Sequence, residues 1–376
     1  MPKKGNIQDQ KRWNEVNNTK NIRAKNTEIS IINYMREAYA PTELELSRLR
    51  TAYGIEKEGE TIIDSTKWLG DKRDTTRNRL QKQINPILVR RDNYIQRAIK
   101  NEWTINYFQQ AYYTDSVVIG ELANAGVQGV YSTALVPPKD KALARALKNL
   151  PLTIPQKYQD FRGTFINSVY QAIESGVNAE RPVNEIAKEI DQLYGFRDSA
   201  GNNVISKGEA ISFVGPDGKT QTRAPRPVNP RIPTGGNTYN SIRIVRTEMS
   251  MMRSDSAIQA LAESQALGID ERLMKLAALD SRTRKQSAIM DKTLSREDGK
   301  FKYPDGRYYY RGQTGVKRWD INDRGDAAPY IEGLEPTVRR ERVKSGKNVV
   351  QPYGSFIDYA KRHGLTKSVY GEKYYF

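Results

Sequence analysis

The chain has 376 residues, of which 61 are Lys or Arg and 44 are Asp or Glu, so it carries a formal charge of +17 at pH 7. A surplus of this size favours a polyanionic partner such as nucleic acid, because each phosphate that a cation neutralises releases a condensed counterion. The alternative is a chain that is basic only to stay in solution. The mean hydropathy of -0.74 predicts a folded core that is covered by extensive polar surface.

The absence of cysteine and the single histidine, His363, exclude several kinds of site. Disulfides, thiol nucleophiles, cysteine-ligated metals and two-histidine metal sites are all excluded. An all-oxygen site for Mg²⁺ or Ca²⁺ is the one open metal option. The chain also lacks an apolar run near the roughly 18 residues that span a bilayer, and it lacks a secretory signal. We therefore expect a soluble protein with no membrane anchor.

Residues 1–26 are basic and have almost no apolar side chains. Such a segment buries too little surface to fold alone, which predicts a flexible arm. The arm lies along DNA or a neighbouring subunit in one interpretation, and it is a solvated tail in the other. Its candidate DNA contacts are Lys3, Lys4, Lys11, Arg12, Lys20, Arg23 and Lys25.

Residues 27–136 are predicted to be a helical region, since Ile29, Ile32 and Met35 recur at helical spacing. Charge is dense over 70–100, and we interpret it as the solvated face of long helices whose aromatic residues face the core. Contact with single-stranded nucleic acid is the alternative. The aromatic residues concerned are Tyr94, Trp103, Tyr107 and Phe108.

Residues 137–335 are predicted to form an α+β domain that starts with two helices. The first has Thr153 as its N-cap and ends at Gly176, and the second runs from Pro182 to Gly195.

Residues 196–237 are predicted to interrupt this domain with a hairpin, Ile211 to Thr222, and a proline-rich stretch. Prolines at this density favour extended backbone. The stretch is therefore an arm that reaches a neighbour or, alternatively, a passive linker.

A helix over about 239–267 is followed by a buried strand over 272–279 and by a short helix that Asp280 caps. A second hairpin turns at Pro304-Asp305-Gly306, and residues 336–376 are predicted to be a polar tail. The pattern predicts a mainly helical α+β fold, in which an N-terminal helical region precedes a helix–strand–helix core with small β-hairpins.

Charged residues cluster at the junctions of this core. Arg246 and Glu248 are two residues apart on a helix and point away from each other, so they do not form one local ion pair. Asp280, Arg282 and Arg284, at the end of the strand, are the natural partners. We expect a partly buried arginine–carboxylate cluster that holds the elements in register and performs no reaction.

The same residues carry a resemblance to the phage Mu F-like minor head protein family. The family pattern is an R-T-E helix, a strand, D-x-R-T-R, a histidine, D-G and a later N-C-R-C-like turn. The chain departs from it at Ser287, which replaces the histidine, at Lys292, which replaces the glycine, and at both cysteines. The resemblance covers roughly residues 155–335, and the matching residues are Arg246, Thr247, Glu248, Asp280, Arg282, Thr283, Arg284, Asp291, Asn322 and Arg324.

The resemblance implies a minor head protein of a tailed phage, placed inside the capsid near the portal and in the host cytoplasm during assembly. Its implied partners are the portal protein, the major capsid or scaffold protein, and packaged double-stranded DNA, with which it could be ejected. An oligomer is compatible with this role. We expect no catalytic residue, no cofactor and no metal, and therefore no enzymatic activity.

Two alternatives belong to other functional classes. One is an enzyme: the resemblance implies that some members carry fused toxin or ADP-ribosyltransferase domains, and in a nuclease-like site Glu248, Asp280 and Asp291 would hold Mg²⁺. The other is a DNA-binding packaging factor that is absent from the virion.

Overall fold

The computed structural model describes residues 7–124, 144, 146, 154–197, 211–214, 220–223, 235–321, 323, 325–333, 338–342, 348–352 and 354–364. In this part of the chain the fold is mainly helical, with small antiparallel sheets, which confirms the predicted fold class. Among the described residues, no helix combines the length and the apolar character needed to cross a membrane.

The secondary structure consists of helices and paired strands. The helices are α1 (Ile7–Tyr53), α2 (Asp71–Asn124), α3 (Ile154–Asn178), α4 (Val183–Tyr194), α5 (Gly236–Ala266), α6 (Lys285–Ile289), α7 (Lys317–Asp320) and α8 (Phe356–His363). The antiparallel strand pairs are β1 (Gly54–Lys57) with β2 (Glu60–Ile63), β3 (Ile211–Val214) with β4 (Thr220–Arg223), β5 (Glu271–Leu276) with β8 (Asp326–Ile331), β6 (Phe301–Lys302) with β7 (Tyr308–Tyr309), and β9 (Val338–Arg342) with β10 (Asn348–Pro352).

The chain divides into two compact units. Unit 1 comprises Met1–Ala24, Ala98–Pro151 and Ile244–Phe376, and unit 2 comprises Lys25–Arg97 and Leu152–Arg243. Each unit draws on several of the segments that the sequence suggested as domains, and those sequence boundaries stay a prediction.

Helices α3 and α4 pack closely in unit 2. A Cβ added at Gly176 would lie 2.5 Å from Cγ1 of Ile186. Gly176 was predicted to end α3, but this helix continues to Asn178, so the missing side chain serves helix contact and not helix termination. Helix α4 follows Pro182 and ends at Gly195, which has a φ of 82°, as predicted. The predicted N-cap of α3, Thr153, lies outside the described residues.

One β-hairpin was predicted from the sequence and another was missed. The pairing of Ile211 with Arg223 confirms the β3–β4 hairpin, while its turn and the proline-rich stretch lie outside the described residues. The β1–β2 hairpin was missed within the region predicted to be helical. Its turn has positive φ at Glu58 (54°) and Gly59 (80°), a geometry that glycine favours.

The aromatic residues of α2 support the core interpretation only in part. Trp103 and Tyr107 are fully buried and stack with ring centroids 5.6 Å apart. Phe108, by contrast, is 44% exposed. The dense charge nearby is not all solvated, because Arg91 is fully buried and pairs with Asp92 at 2.8 Å.

The helix–strand–helix core of unit 1 consists of α5 from Ile244 onward, β5 and α6. Strands β5 and β8 pair from Glu271 with Ile331 to Leu276 with Asp326. Helix α5 ends at Ala266, close to the predicted end, and Gly268 follows with a left-handed φ of 84°. One apolar cluster behind this sheet contains Ala257, Leu261, Leu273, Met290, Phe301, Tyr303, Trp319 and Ala327.

The predicted arm and tail both contain regular structure. Helix α1 begins at Ile7, so the described part of the arm is helical and belongs to a long helix. The predicted tail contains β9, β10 and α8. Phe356 and Tyr359 of α8 are buried against Ala277, Leu279 and Ala288, because this helix has an apolar face that the core covers.

Candidate functional site

The R-T-E motif lies on α5 in unit 1. Glu248 is 2% exposed, whereas Arg246 and Thr247 are half-buried. The direct pairing of this segment with residues 280–284 stays a prediction.

The D-x-R-T-R motif forms a turn after β5. Asp280 Oδ1 accepts a hydrogen bond from the backbone N–H of Arg282 at 2.9 Å, and Asp280 Oδ2 lies 3.4 Å from Nη2 of the same arginine. Asp280 was predicted to cap the next helix, but α6 begins at Lys285, after Arg284. The prediction was wrong because the carboxylate closes a local turn of the kind that aspartate favours.

The two arginines of this turn reach towards solvent. The side chain of Arg282 is 43% exposed, and Arg284 is half-buried and donates a hydrogen bond to the carbonyl oxygen of Arg318 on α7. Thr283 is buried, and its hydroxyl donates to the carbonyl of Ala278. The Arg282–Asp280 pair is partly buried, because the Asp280 side chain is 10% exposed and that of Arg282 is 43% exposed.

A bidentate arginine–carboxylate pair does occur, but at Asp291. The Nη1 and Nη2 atoms of Arg339 each lie 2.7 Å from one oxygen of this carboxylate. The backbone N–H groups of Ala277 and Phe356 also donate to it, at 2.7 and 2.6 Å. Asp291 therefore joins the end of β5 to β9 and α8. Sequence reasoning missed Arg339 because it lies in a segment predicted to be a tail.

Lys292 follows Asp291 and has a φ of 64°. Glycine adopts this conformation without the steric cost that a Cβ imposes. The departure from D-G to D-K in this chain therefore places a lysine where the backbone favours glycine.

A second buried arginine ties α5 to the loop before β8. Arg311 is 1% exposed and donates to the hydroxyl of Ser250 at 2.8 Å and to the carbonyl of Gly325. Its Nε lies 3.3 Å from Oδ2 of Asp323, which is also buried. Burial acts to raise the pKa of Asp323, but the charges of Arg311 and Lys275 and the hydrogen bond from the backbone N–H of Gly325 together hold that pKa below its usual value.

Lys275 is the third buried cation of this region. Its Nζ lies 3.3 Å from the hydroxyl of Tyr303 and 4.7 Å from the centre of that ring. Burial lowers the pKa of Lys275 to about 8, although Asp323 opposes the shift. The signal for this site, which the sequence-based predictions missed, is a lysine between the apolar residues Met274 and Leu276 of β5.

Two cations of the predicted DNA-binding arm are engaged inside unit 1. Lys20 is 2% exposed and its Nζ lies 3.0 Å from Asp326. Arg23 lies 2.9 Å from Glu102, which Arg253 also contacts at 2.6 Å. Lys20 is therefore wrong as a DNA contact, because reaching DNA would leave Asp326 without this partner.

Of the other arm residues, only Lys25 has a described side chain. Lys3 and Lys4 lie outside the described residues, as do the side chains of Lys11 and Arg12. Lys25 is exposed on α1.

Glu271 is a buried carboxyl group at the start of β5. Its Oε2 accepts hydrogen bonds from the hydroxyls of Thr114 at 2.9 Å and Ser264 at 2.7 Å. Burial raises the pKa of Glu271 to about 7, because these neutral donors stabilise the carboxylate less than desolvation penalises it.

The nuclease alternative requires carboxylates that converge on one point. Within the described ranges, no group of three Asp, Glu or His side chains is arranged to hold a metal ion. Glu248, Asp280 and Asp291 all lie in those ranges and do not form such a group. Asn322 and Arg324, which match the last element of the family pattern, lie outside them.

Comparison with known proteins gives one partial similarity and two negative results. No family model matches the chain, and no solved structure matches it. The chain is similar to NAD(+)--arginine ADP-ribosyltransferase EFV of Enterococcus faecalis, with 26% identity over 178 residues. The match covers 46% of this chain and 34% of the relative, so it spans about a third of that protein's length.

This similarity corrects one expectation. No enzymatic activity was expected from the sequence, and the relative is an ADP-ribosyltransferase, which contradicts that expectation.

Proposed function

We propose that this chain is a minor head protein of a tailed bacteriophage, located inside the capsid near the portal and in contact with packaged DNA. The observation that carries the proposal is structural. The R-T-E segment on α5, the D-x-R-T-R turn between β5 and α6, and Asp291 just after α6 all belong to unit 1.

Charge supports a polyanionic partner. The formal charge of +17 lets the chain lie against densely packed DNA without net repulsion, and it favours association with phosphate groups. The portal protein and the major capsid or scaffold protein are the protein partners of this proposal.

The proposal is tested by the protein composition of purified, DNA-filled particles of the phage that encodes the chain. Quantitative mass spectrometry should find the chain in few copies relative to the major capsid protein. If the chain is abundant in the infected cell but absent from purified particles, the packaging-factor alternative replaces this proposal.

Transfer of ADP-ribose from NAD(+) to arginine is a second candidate, and the similarity to the enterococcal enzyme favours it. In this reaction the bond between nicotinamide and ribose breaks, a guanidinium nitrogen takes the ribosyl carbon, and that nitrogen loses a proton. The test incubates the purified chain with NAD(+) and an arginine-containing acceptor peptide, with a lysine-for-arginine peptide as control. Nicotinamide release and a mass increase confined to the arginine peptide would support the activity, and their absence would contradict it.

A further inference from the structure

We propose that the surface around the D-x-R-T-R turn and α7 binds the phosphate backbone of duplex DNA. The inference rests on the proposed function and names the surface through which it acts. We call this surface the motif face and define it by its basic residues, Arg282, Arg284, Lys285, Lys317 and Arg318.

A hydrogen bond brings the two parts of the motif face together. The guanidinium of Arg284 donates to the carbonyl oxygen of Arg318, which places the start of α6 beside α7. Arg282, Lys317 and Arg318 are exposed, and Arg284 and Lys285 are half-buried. Cations from two separate segments therefore share one side of unit 1.

The neighbouring carboxylates are used within the protein. Asp280 binds the backbone N–H and the guanidinium of Arg282. Asp320 accepts hydrogen bonds from the backbone N–H groups of Thr314 and Gly315, at 3.1 and 2.9 Å. Asp323 is buried against Arg311. The groups that this face presents to solvent are thus predominantly cationic.

The aromatic environment favours duplex over single-stranded DNA. Binding of single strands relies on exposed rings on which bases stack. Trp319, the aromatic residue of α7, is 9% exposed and packs 5.3 Å from the ring of Tyr303. The motif face therefore offers charge for phosphates and no exposed indole for bases, which matches contact with the outside of a duplex.

The backbone of the turn is fixed before any ligand arrives. The bonds from Arg282 to Asp280 and from Thr283 to Ala278 set its conformation. A preformed surface loses little conformational entropy on binding, which favours affinity.

The experiment measures how the affinity for a short DNA duplex depends on salt. Each phosphate contact contributes about 0.9 to the slope of log affinity against log salt. The fourfold variant Arg282→Gln, Arg284→Gln, Lys317→Gln, Arg318→Gln should reduce the magnitude of this slope by about 2 to 4. The matched control changes four basic residues near β6 and β7 of the same unit, Arg296, Lys300, Lys302 and Arg307, to Gln, and it should change the slope by less than about 1.

A second variant guards against misfolding of the turn. Lys317→Gln with Arg318→Gln leaves the D-x-R-T-R residues unchanged, and it should lower the slope by about 1 to 2 at an unaltered melting temperature. Equal slopes in the wild type and both motif-face variants would overturn the inference, as would an equal loss in the control.

Two measurements on the wild-type protein, its presence in particles and its affinity for the duplex, distinguish failure of this inference from failure of the proposed function. If the chain is present in purified particles but shows no salt-dependent affinity for the duplex, the motif face is wrong and the virion assignment stands. If the chain binds through the motif face but is absent from particles, the surface stands and the virion assignment falls.

Discussion

Asp291 accepts hydrogen bonds from both Nη atoms of Arg339 and from two backbone N–H groups, so both of its oxygens are used inside the protein. The side chain of Asp291 is 2% exposed, and that of Arg339 is 8% exposed. A carboxylate in this position joins elements and is poorly placed to take a proton from a substrate. Asp291 of the family pattern therefore connects the end of β5 to β9 and α8.

Replacing Arg339 tests this connection. Arg339→Ala leaves a buried carboxylate without its cation, and we expect a loss of about 3–5 kcal/mol in the free energy of unfolding. Arg282→Ala is the control. The Arg282 side chain is 43% exposed, and Asp280 keeps its hydrogen bond from the backbone N–H at that position, so we expect a loss of about 1 kcal/mol or less. Urea denaturation measures both values. Similar losses for the two variants would mean that the burial of Asp291 is not what makes its partner important.

Lys292 allows a stabilising substitution. Its φ of 64° is costly for a residue with a Cβ, so Lys292→Gly should raise the free energy of unfolding by about 1 kcal/mol. Lys292→Ala keeps the backbone cost and removes the side chain, and it should not stabilise the protein. A glycine variant less stable than the alanine variant in the same denaturation assay would contradict this explanation.

Local patterns predicted elements well where the stabilising contacts are local. The bounds of helix α4, which follows Pro182 and ends at Gly195, could be predicted because the sequence shows both an apolar face and a glycine. Glycine favours the positive φ of a helix end. The end of α3 could not be predicted in the same way. Gly176 is a residue type that often ends helices, but its role here is set by contact with Ile186, a residue of the next helix.

Two glycines of α3 should respond in opposite directions to substitution by alanine. Gly176→Ala should lower the free energy of unfolding by about 1–3 kcal/mol, because the new Cβ would overlap Ile186. Gly163→Ala in the same helix meets no atom within 4 Å and should stabilise by about 0.5–1 kcal/mol. Thermal or urea unfolding distinguishes the two, and a gain in stability from Gly176→Ala would exclude the close helix contact.

Glu271 links strand β5 to α2 and α5, and it makes the stability of unit 1 depend on pH. Its pKa is about 7 in the folded protein, above the ordinary 4.5, so between these pH values the unfolded chain releases a proton that the folded chain retains. Stability therefore falls as the pH rises through this window, by on the order of 3 kcal/mol, and the loss is complete above about pH 7.

The substitution Glu271→Gln removes this titration and keeps an oxygen that accepts from Thr114 and Ser264. The variant should be more stable than the wild type at pH 8 and similar to it at pH 4. Urea denaturation across this range makes the comparison. Parallel stability curves for the two proteins would show that Glu271 does not titrate during unfolding.

At the scale of the whole chain, partners distant in sequence decide which cations are internal. Lys20 was expected at the surface and is buried against Asp326, which lies 306 residues away. Arg282 was expected to belong to a partly buried cluster, and its own side chain is 43% exposed beside Asp280, two residues away. Sequence periodicity predicted the helical fold class, but it carries no information on such long-range pairing. Of the predicted DNA contacts in the arm, Lys20 is excluded by this long-range pairing.

The most direct measurement is protein–DNA crosslinking inside intact, DNA-filled particles, followed by mass spectrometry of the crosslinked peptides. We expect crosslinks in the peptides that contain Arg282 to Lys285 and Lys317 to Arg318, with far fewer around β6 and β7. Particles that contain the chain but yield no crosslink between the motif face and DNA, or particles that lack the chain, would contradict it.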